Sequence, residues 1–217
     1  MPVEIVWLGH ACFRIRSGGL TLITDPFPEA IGLSMGQPDP PGADLVTVSH
    51  QHPHHSHTQG LANEPRVISG PGEYELSGIY IRGVRTSPGE DDPSEKRNTA
   101  YLVHAEEIRI CHLGDISQPL SESQAGQLTP VHVLLVPAGG VCTLSAASIS
   151  ETITTLSPRI VIPMHHHVPG LQLKLEPLEP FLRERGLGHL EPQPRLTVSP
   201  STLPEETRVV VLEPQGR

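Results

Sequence analysis

The chain has 217 residues, with 15 Lys plus Arg against 24 Asp plus Glu and a formal charge of −9. That length can bury a sizeable core, and the acidic balance argues against sequence-independent nucleic-acid binding, which depends on neutralising phosphates with Lys and Arg. Thirteen histidines stand beside only three Phe, one Trp and three Tyr, so the core is expected to be aliphatic and the imidazoles point to metal or proton chemistry.

In chain order, residues 3–8, 12–16 and 20–24 predict three strands joined by tight turns, the second turn at Ser17-Gly18-Gly19. The opening segment lacks a basic start and reaches Glu4 and His10 too soon for a secretory signal. A Pro/Gly-rich loop over 26–42 leads to a short apolar strand at 44–49. Further strands are predicted at 66–69, at 74–76 paired with 79–84 across Ser77-Gly78, and at 99–104 with 108–111. Helices are predicted at 117–128 and 143–156, the second with Leu144, Ile149, Ile153 and Leu156 on one face and Thr143 or Ser145 as N-cap. Between them lies an apolar strand at 131–136, and another follows at 159–164. A last helix over 178–185 stops near Gly186, and strands at 195–199 and 207–212 close the chain. This order predicts one α/β domain over 1–217, built from two sheets covered by helices. The stretch 124–150 has no Asp, Glu, Lys or Arg, but its Pro, His, Gly, Ser and Thr content is wrong for a membrane helix. Cys12, Cys111 and Cys142 show no C-x-x-C spacing. A soluble, cytoplasmic protein is therefore expected.

Three apolar strands run into metal-binding residue types. Residues 45–49 lead into His50-Gln-His52-Pro-His54-His55-Ser-His57, residues 108–111 into His112-Leu-Gly-Asp115, and residues 160–164 into His165-His166-His167. Strand ends in layered α/β proteins gather at one edge crevice, and imidazole with carboxylate suits zinc, with iron or manganese as alternatives. His50 and His52 are two apart, so an extended backbone points both rings to one side. The turn at Pro53 can bring His55 toward them, and Gly114 allows Asp115 a close approach.

The segment SHQHPHHS resembles the H-x-H-x-D-H signature of metallo-β-lactamase-fold hydrolases. LGHACFRI, TDPF, RNTAYLV, HLGD, LLVPAGG and IVIPMH, in that order, are similar to the branch related to ascorbate-phosphate lactonases. The resemblance implies a four-layer αββα sandwich with a site for one or two Zn2+ ions (Mn2+ or Fe2+ as alternatives) at the edge between the sheets. It implies that His50 and His52 bind a first metal and His55 a second. Asp115 would bridge the two, His165 would complete the second site, and Asp25 would orient the histidine loop. His54 stands where the signature carries Asp and is assigned the proton-transfer role. No histidine occurs in 83–92, where a third ligand for the first metal is expected, leaving Glu90, Asp91, Asp92 or water. His112 is read as support for Asp115, and His166 and His167 as residues at the mouth of the site. His10 and His57 are read as structural or loop residues, and Cys111 and Cys142 as small buried apolar groups. The implied activity is hydrolysis of a small ester, lactone or phosphoester. The alternative is a catalytically silent metal-binding or interaction module on the same fold. A small-molecule substrate is the expected partner, with no nucleic acid and no membrane; a homo-oligomer is left open.

Overall fold

The computed structural model describes residues 1–36, 41–86 and 97–216. The three predicted N-terminal strands form an antiparallel series: β1 (Val3–Gly9), β2 (Cys12–Ser17) and β3 (Leu20–Thr24). β4 (Leu45–Val48) and β5 (Arg66–Ser69) continue the sheet in parallel, and β12 (Leu196–Val198) closes its other edge against β1. The second sheet opens with the antiparallel strands β6 (Gly72–Leu76), β7 (Ile79–Arg85), β8 (Thr99–Ala105) and β9 (Ile108–His112). It then turns parallel through β10 (Val133–Pro137), β11 (Ile160–Met164) and the short β13 (Arg208–Val209).

The two faces of the second sheet explain its sequence. β10 and β11 are buried at every position, which is why they read as unbroken apolar runs rather than alternations. Val133, Leu135, Ile160 and Ile162 face the first sheet, while Leu134, Val136 and Val161 face the helices. In β8 the same period of two sends Tyr101 and Val103 inward and Ala100 and Leu102 outward. Each fully buried Leu, Ile or Val contributes roughly 1.5–3 kcal/mol. Trp7, Phe13, Phe27, Tyr101 and Phe181 supply the large rings in this otherwise aliphatic interior.

The α-helices among the described residues are α1 (Glu122–Leu128), α2 (Ala146–Leu156) and α3 (Glu179–Glu184), and their buried apolar residues pack on the outer face of the second sheet. Connections of the first sheet use single 3-10 turns such as Glu29–Ile31 and Thr58–Gly60. α1 begins five residues later than the pattern predicts. Pro119 keeps its predecessor out of the helical region, and Ser121 with Gln124 forms a capping box that starts the helix at Glu122. Ser145, not Thr143, caps α2. The predicted strand at 207–212 shortens to two residues, followed by one further bond from Val210 N to the Val161 carbonyl. No helix among the described residues is long and apolar enough to cross a membrane.

β1, β3, β4, β9 and β11 all deliver their carboxyl ends to one edge. Backbone bonds stitch the two sheets there. Thr99 N donates to the Ser49 carbonyl at 2.8 Å and His165 N to the His10 carbonyl at 2.9 Å, while within the first sheet Asp25 N donates to the Thr47 carbonyl at 2.9 Å. Tyr101 adds a side-chain tie, its hydroxyl donating to the Val48 carbonyl at 2.9 Å.

Candidate metal centre

The histidine loop after β4 is held from beneath by Asp25, fully buried at the end of β3. Its Oδ1 accepts the Ser49 amide at 2.7 Å, while Oδ2 accepts both the Ser49 hydroxyl and His55 Nδ1, the latter at 2.8 Å. A carboxylate only accepts, so His55 carries its proton on Nδ1 and keeps the Nε2 lone pair. The Ser49 hydroxyl spends its one proton on Asp25 and must therefore accept from His50 Nδ1, 2.9 Å away. His50 is thus fixed in the same tautomer, with Nε2 again bare. Asp25 thus lies under the loop and, directly and through Ser49, leaves two imidazoles with a free Nε2 lone pair.

The segment after β9 is brought in by close packing. A Cβ on Gly114, at φ +61°, would lie 2.3 Å from Asn98 Oδ1 and 2.6 Å from Ser49 Cβ, so only glycine lets Asp115 come this near to His50. Asn98 Oδ1 accepts the Asp115 amide at 2.9 Å, and its Nδ2 donates to Thr86 Oγ1 and to the Leu113 carbonyl. His112 is buried, with neither nitrogen left for a cation. Its Nε2 donates to the Ala11 carbonyl at 2.8 Å, and its Nδ1 accepts the Gly114 amide at 3.2 Å. It ties the chain beside His10 to the chain beside Asp115.

His165 follows β11, and its Nε2 lies 3.7 Å from Asp115 Oδ1. Opposite it stands His10, which the sequence reading left as structural. Its ring is centred 4.2 Å from His165 and 4.8 Å from His55. The His10 carbonyl accepts both His165 N and Trp7 Nε1, the latter at 3.0 Å, so the two residues are locked back to back. His10, Asp25 and His165 all hold positive φ, at 49°, 38° and 53°, a strained conformation that accumulates at functional sites. Gly139 makes room for His165: a Cβ there would lie 2.1 Å from the His165 carbonyl oxygen.

These side chains meet around a cavity of about 280 Å³ lined by His10, His50, His52, His54, His55, His165, Asp115 and Cys142, with Leu173, Lys174 and Leu175 along one wall. Among the described residues, three sets of ligand atoms lie within 4.8 Å of one another: His50, His52 and His55; His10, His55 and His165; and Asp115, Cys142 and His165. Both nitrogens of His10 and the Nδ1 of His165 are buried without a hydrogen-bond partner. Leaving such a group unpaired costs about 1–3 kcal/mol. A cation taking one lone pair from each ring would relieve part of that cost, so the donors fit a metal ion. Burial, reinforced by the neighbouring imidazoles, holds His10 and His55 well below the usual histidine range, and burial also lowers His50. These rings are therefore neutral, the form that donates a lone pair. Burial opposes ionisation of Asp115, but where the facing imidazoles of His165, His55 and His50 take up protons in acid they hold its carboxyl below the ordinary range.

Some expectations need correction. His166 is not at the mouth of this site. It is buried, with its ring centred 5.0 Å from Trp7, and lines a separate, largely apolar cavity of about 480 Å³ with Trp7, Val168 and Leu182. Cys111 is buried as expected, but Cys142 is exposed beside Asp115, its Sγ 3.8 Å from Oδ1. His54 lines the cavity half-buried and belongs to none of the three compact sets. Glu90, Asp91 and Asp92 lie outside the described residues. The sequence reading gave Ser49 and Asn98 no site role and took His10 as structural. The signal for His10 was its placement, directly after a strand and a glycine, because the other contributing strands also end in site residues.

Residues 4–165 match the family model described as a beta-lactamase superfamily domain. A UPF0173 protein of Pyrococcus abyssi is 28% identical over 193 residues, covering 77% of this chain and 85% of its own. A UPF0173 metal-dependent hydrolase of Methanopyrus kandleri is 25% identical over 216 residues, covering 85% and 94%. Among solved structures, a candidate Zn-dependent hydrolase of the metallo-beta-lactamase superfamily from Thermotoga maritima superposes with a TM-score of 0.78 at 33% identity, covering 97% of this chain and 98% of that one. With its paired sheets, its histidine-lined edge and these matches, the chain belongs to the metallo-beta-lactamase superfamily, among its metal-dependent hydrolases.

Proposed function

We propose that this chain hydrolyses a small anionic ester, lactone or phosphoester with the help of one or two zinc-type cations held by His50, His52, His55, Asp115 and His165. The observation that carries the reading is the fixed presentation of His50 and His55, whose outer nitrogens are held by Ser49 and Asp25 while their inner ones face the cavity that Asp115 and His165 share. A zinc-class ion bound there supplies an acidified water, with a pKa near ~7, and a Lewis acid for the scissile carbonyl or phosphoryl oxygen. Imidazole-rich donors favour zinc over manganese or magnesium.

The chain's own groups divide the remaining work. His54 stands in the cavity wall outside the compact ligand sets, half-exposed, and takes up and returns the proton of the reacting water. Asp115 orients that water from the floor. Lys174, exposed on the rim, attracts the anionic end of the substrate. Arg85 and Arg97 line a smaller recess of about 130 Å³ on the far side of His50 and add to the positive potential there. Leu173 and Leu175 shield one wall from bulk water.

The test is metal analysis of untagged, natively purified protein, followed by turnover of lactone, phosphomonoester and phosphodiester panels. Stoichiometric zinc, with hydrolysis abolished in His50→Ala, is expected. Only trace metal that zinc, manganese or iron cannot raise would overturn the reading. Bound metal without turnover on any panel would favour the silent metal-binding module, for which the displacement of His54 from the compact ligand sets is the supporting feature.

A further inference from the structure

The geometry points to His10 as a metal ligand, completing with His55 and His165 a second cation position made of three imidazoles. This rests on the metal-centre reading above and extends it with a residue that the sequence reading took as structural.

Three observations converge. The ligand atoms of His10, His55 and His165 lie within 4.8 Å of one another, and all three residues are buried. Neither His10 nitrogen has a hydrogen-bond partner, and His165 Nδ1 is likewise bare although its Nε2 faces Asp115. A polar ring walled in at the meeting point of two sheets, with both nitrogens unsatisfied, is an expensive feature to retain for packing alone. Its backbone, moreover, is pinned at φ 49° by two hydrogen bonds to the carbonyl, which aims the ring and gives it little freedom to turn away.

His54, the alternative candidate, fails the same comparison. It is half-buried, its ring centre lies 6.3 Å from that of His10, and its ligand atoms enter no compact set. Lone-pair counting then allots the donors. His55 gives Nδ1 to Asp25 and has one Nε2 lone pair, so it serves one cation only. Assigned to the His10 position, it leaves His50 and His52, with Asp115, to the first. The His10 position consists of neutral donors, so an ion there keeps most of its double charge, and Asp115 is the carboxylate beside it. Such a site takes zinc or cobalt in preference to manganese, magnesium or calcium and favours an anionic fourth ligand.

Cobalt titration of the chelator-treated full chain reads the ligands without relying on turnover. The parent protein is expected to take up two Co2+ ions, counted by equilibrium dialysis, with visible d–d bands for each. His10→Phe, which keeps a flat ring, and His10→Gln, a polar fallback if the first variant misfolds, are each expected to bind the second ion about 10–100-fold more weakly while the first is retained. His54→Gln is expected to bind both. Retained binding of the first ion also certifies the fold. Tight uptake of two ions by both His10 variants, loss of the second ion in His54→Gln instead, or uptake of a single ion by the parent would overturn the assignment while leaving the first site standing. No uptake by the parent would overturn the metal-centre reading itself.

Discussion

The two sides of the histidine cavity are built in different ways. His50 and His55 have their outer nitrogens hydrogen-bonded to Ser49 and Asp25, so that side is ordered by the protein alone. His10 and His165 are positioned through their backbones, and three of their four nitrogens are buried without a partner. The first arrangement preorganises ligands at little cost. The second leaves unpaired polar atoms, at about 1–3 kcal/mol each, until something binds. The protein is therefore expected to gain more stability from a cation on the His10 side than on the His50 side.

The hydrogen-bonded side is broken most severely by Asp25→Ala, which strips His55 Nδ1, the Ser49 amide and the Ser49 hydroxyl of their acceptor at once. A loss of about 3–5 kcal/mol in urea unfolding is expected, with Asp25→Asn recovering part of it. A loss below about 1 kcal/mol would show that the loop does not depend on this carboxylate.

Acid should act through the buried neutral rings. Burial, the largest cause in each case, depresses His10, His55 and His112, and brings His166 to about 4. In the unfolded chain these groups titrate near ~6.5. Below that pH the unfolded state binds more protons than the folded one, so the unfolding free energy falls as pH falls. The contribution of each ring is fully present above its unfolded pKa and is lost on the way down to its folded one. Each contributes at most about 1.4 kcal/mol per pH unit, so a metal-free sample should lose a few kcal/mol between pH 7 and 5.5. Urea midpoints in chelator measure this, and zinc added at pH 7 should raise the midpoint. A flat profile would mean that the rings are not held neutral.

Gly114→Ala tests the junction of the two sides. The added Cβ must displace Asn98 or Ser49 and also occupy φ +61°, so about 1–3 kcal/mol should be lost, together with weaker cobalt binding as Asp115 moves. Unchanged stability and binding would contradict the packing described. The smallest effect is expected from Cys142→Ser. Partial desolvation of its sulfur, followed by the nearby Asp115, pushes this thiol up to about 12 in the metal-free protein, and the side chain is otherwise exposed. Stability should change by less than about 0.5 kcal/mol, with no sulfur charge-transfer band to lose from the cobalt spectrum. Loss of such a band would give the His10 side a sulfur ligand and redraw the comparison.

Much of this was legible in the residues. Turn chemistry at Ser17-Gly18-Gly19 and Ser77-Gly78 marked the hairpins, and the apolar runs ending in His50, His112 and His165 located three of the five strand ends that build the edge. His10 reads as structural because a single histidine after a strand carries no ligand spacing of its own. Its meaning depends on β1 lying across the cavity from β11, a relation between residues 155 positions apart. Cys142 and His166 were misplaced for a similar reason. Which side of a strand end faces the cavity depends on packing against Trp7 in one case and Asp115 in the other.

What the sequence determined by itself was periodicity and donor supply: alternation and apolar runs set the strands, and the residue types fixed which metals suit the donors. Which of the thirteen histidines meet was decided only by the tertiary structure. Lone pairs must converge from strands distant in the chain, and hydrogen bonds such as His55 to Asp25 and His112 to Ala11 determine which nitrogens remain free.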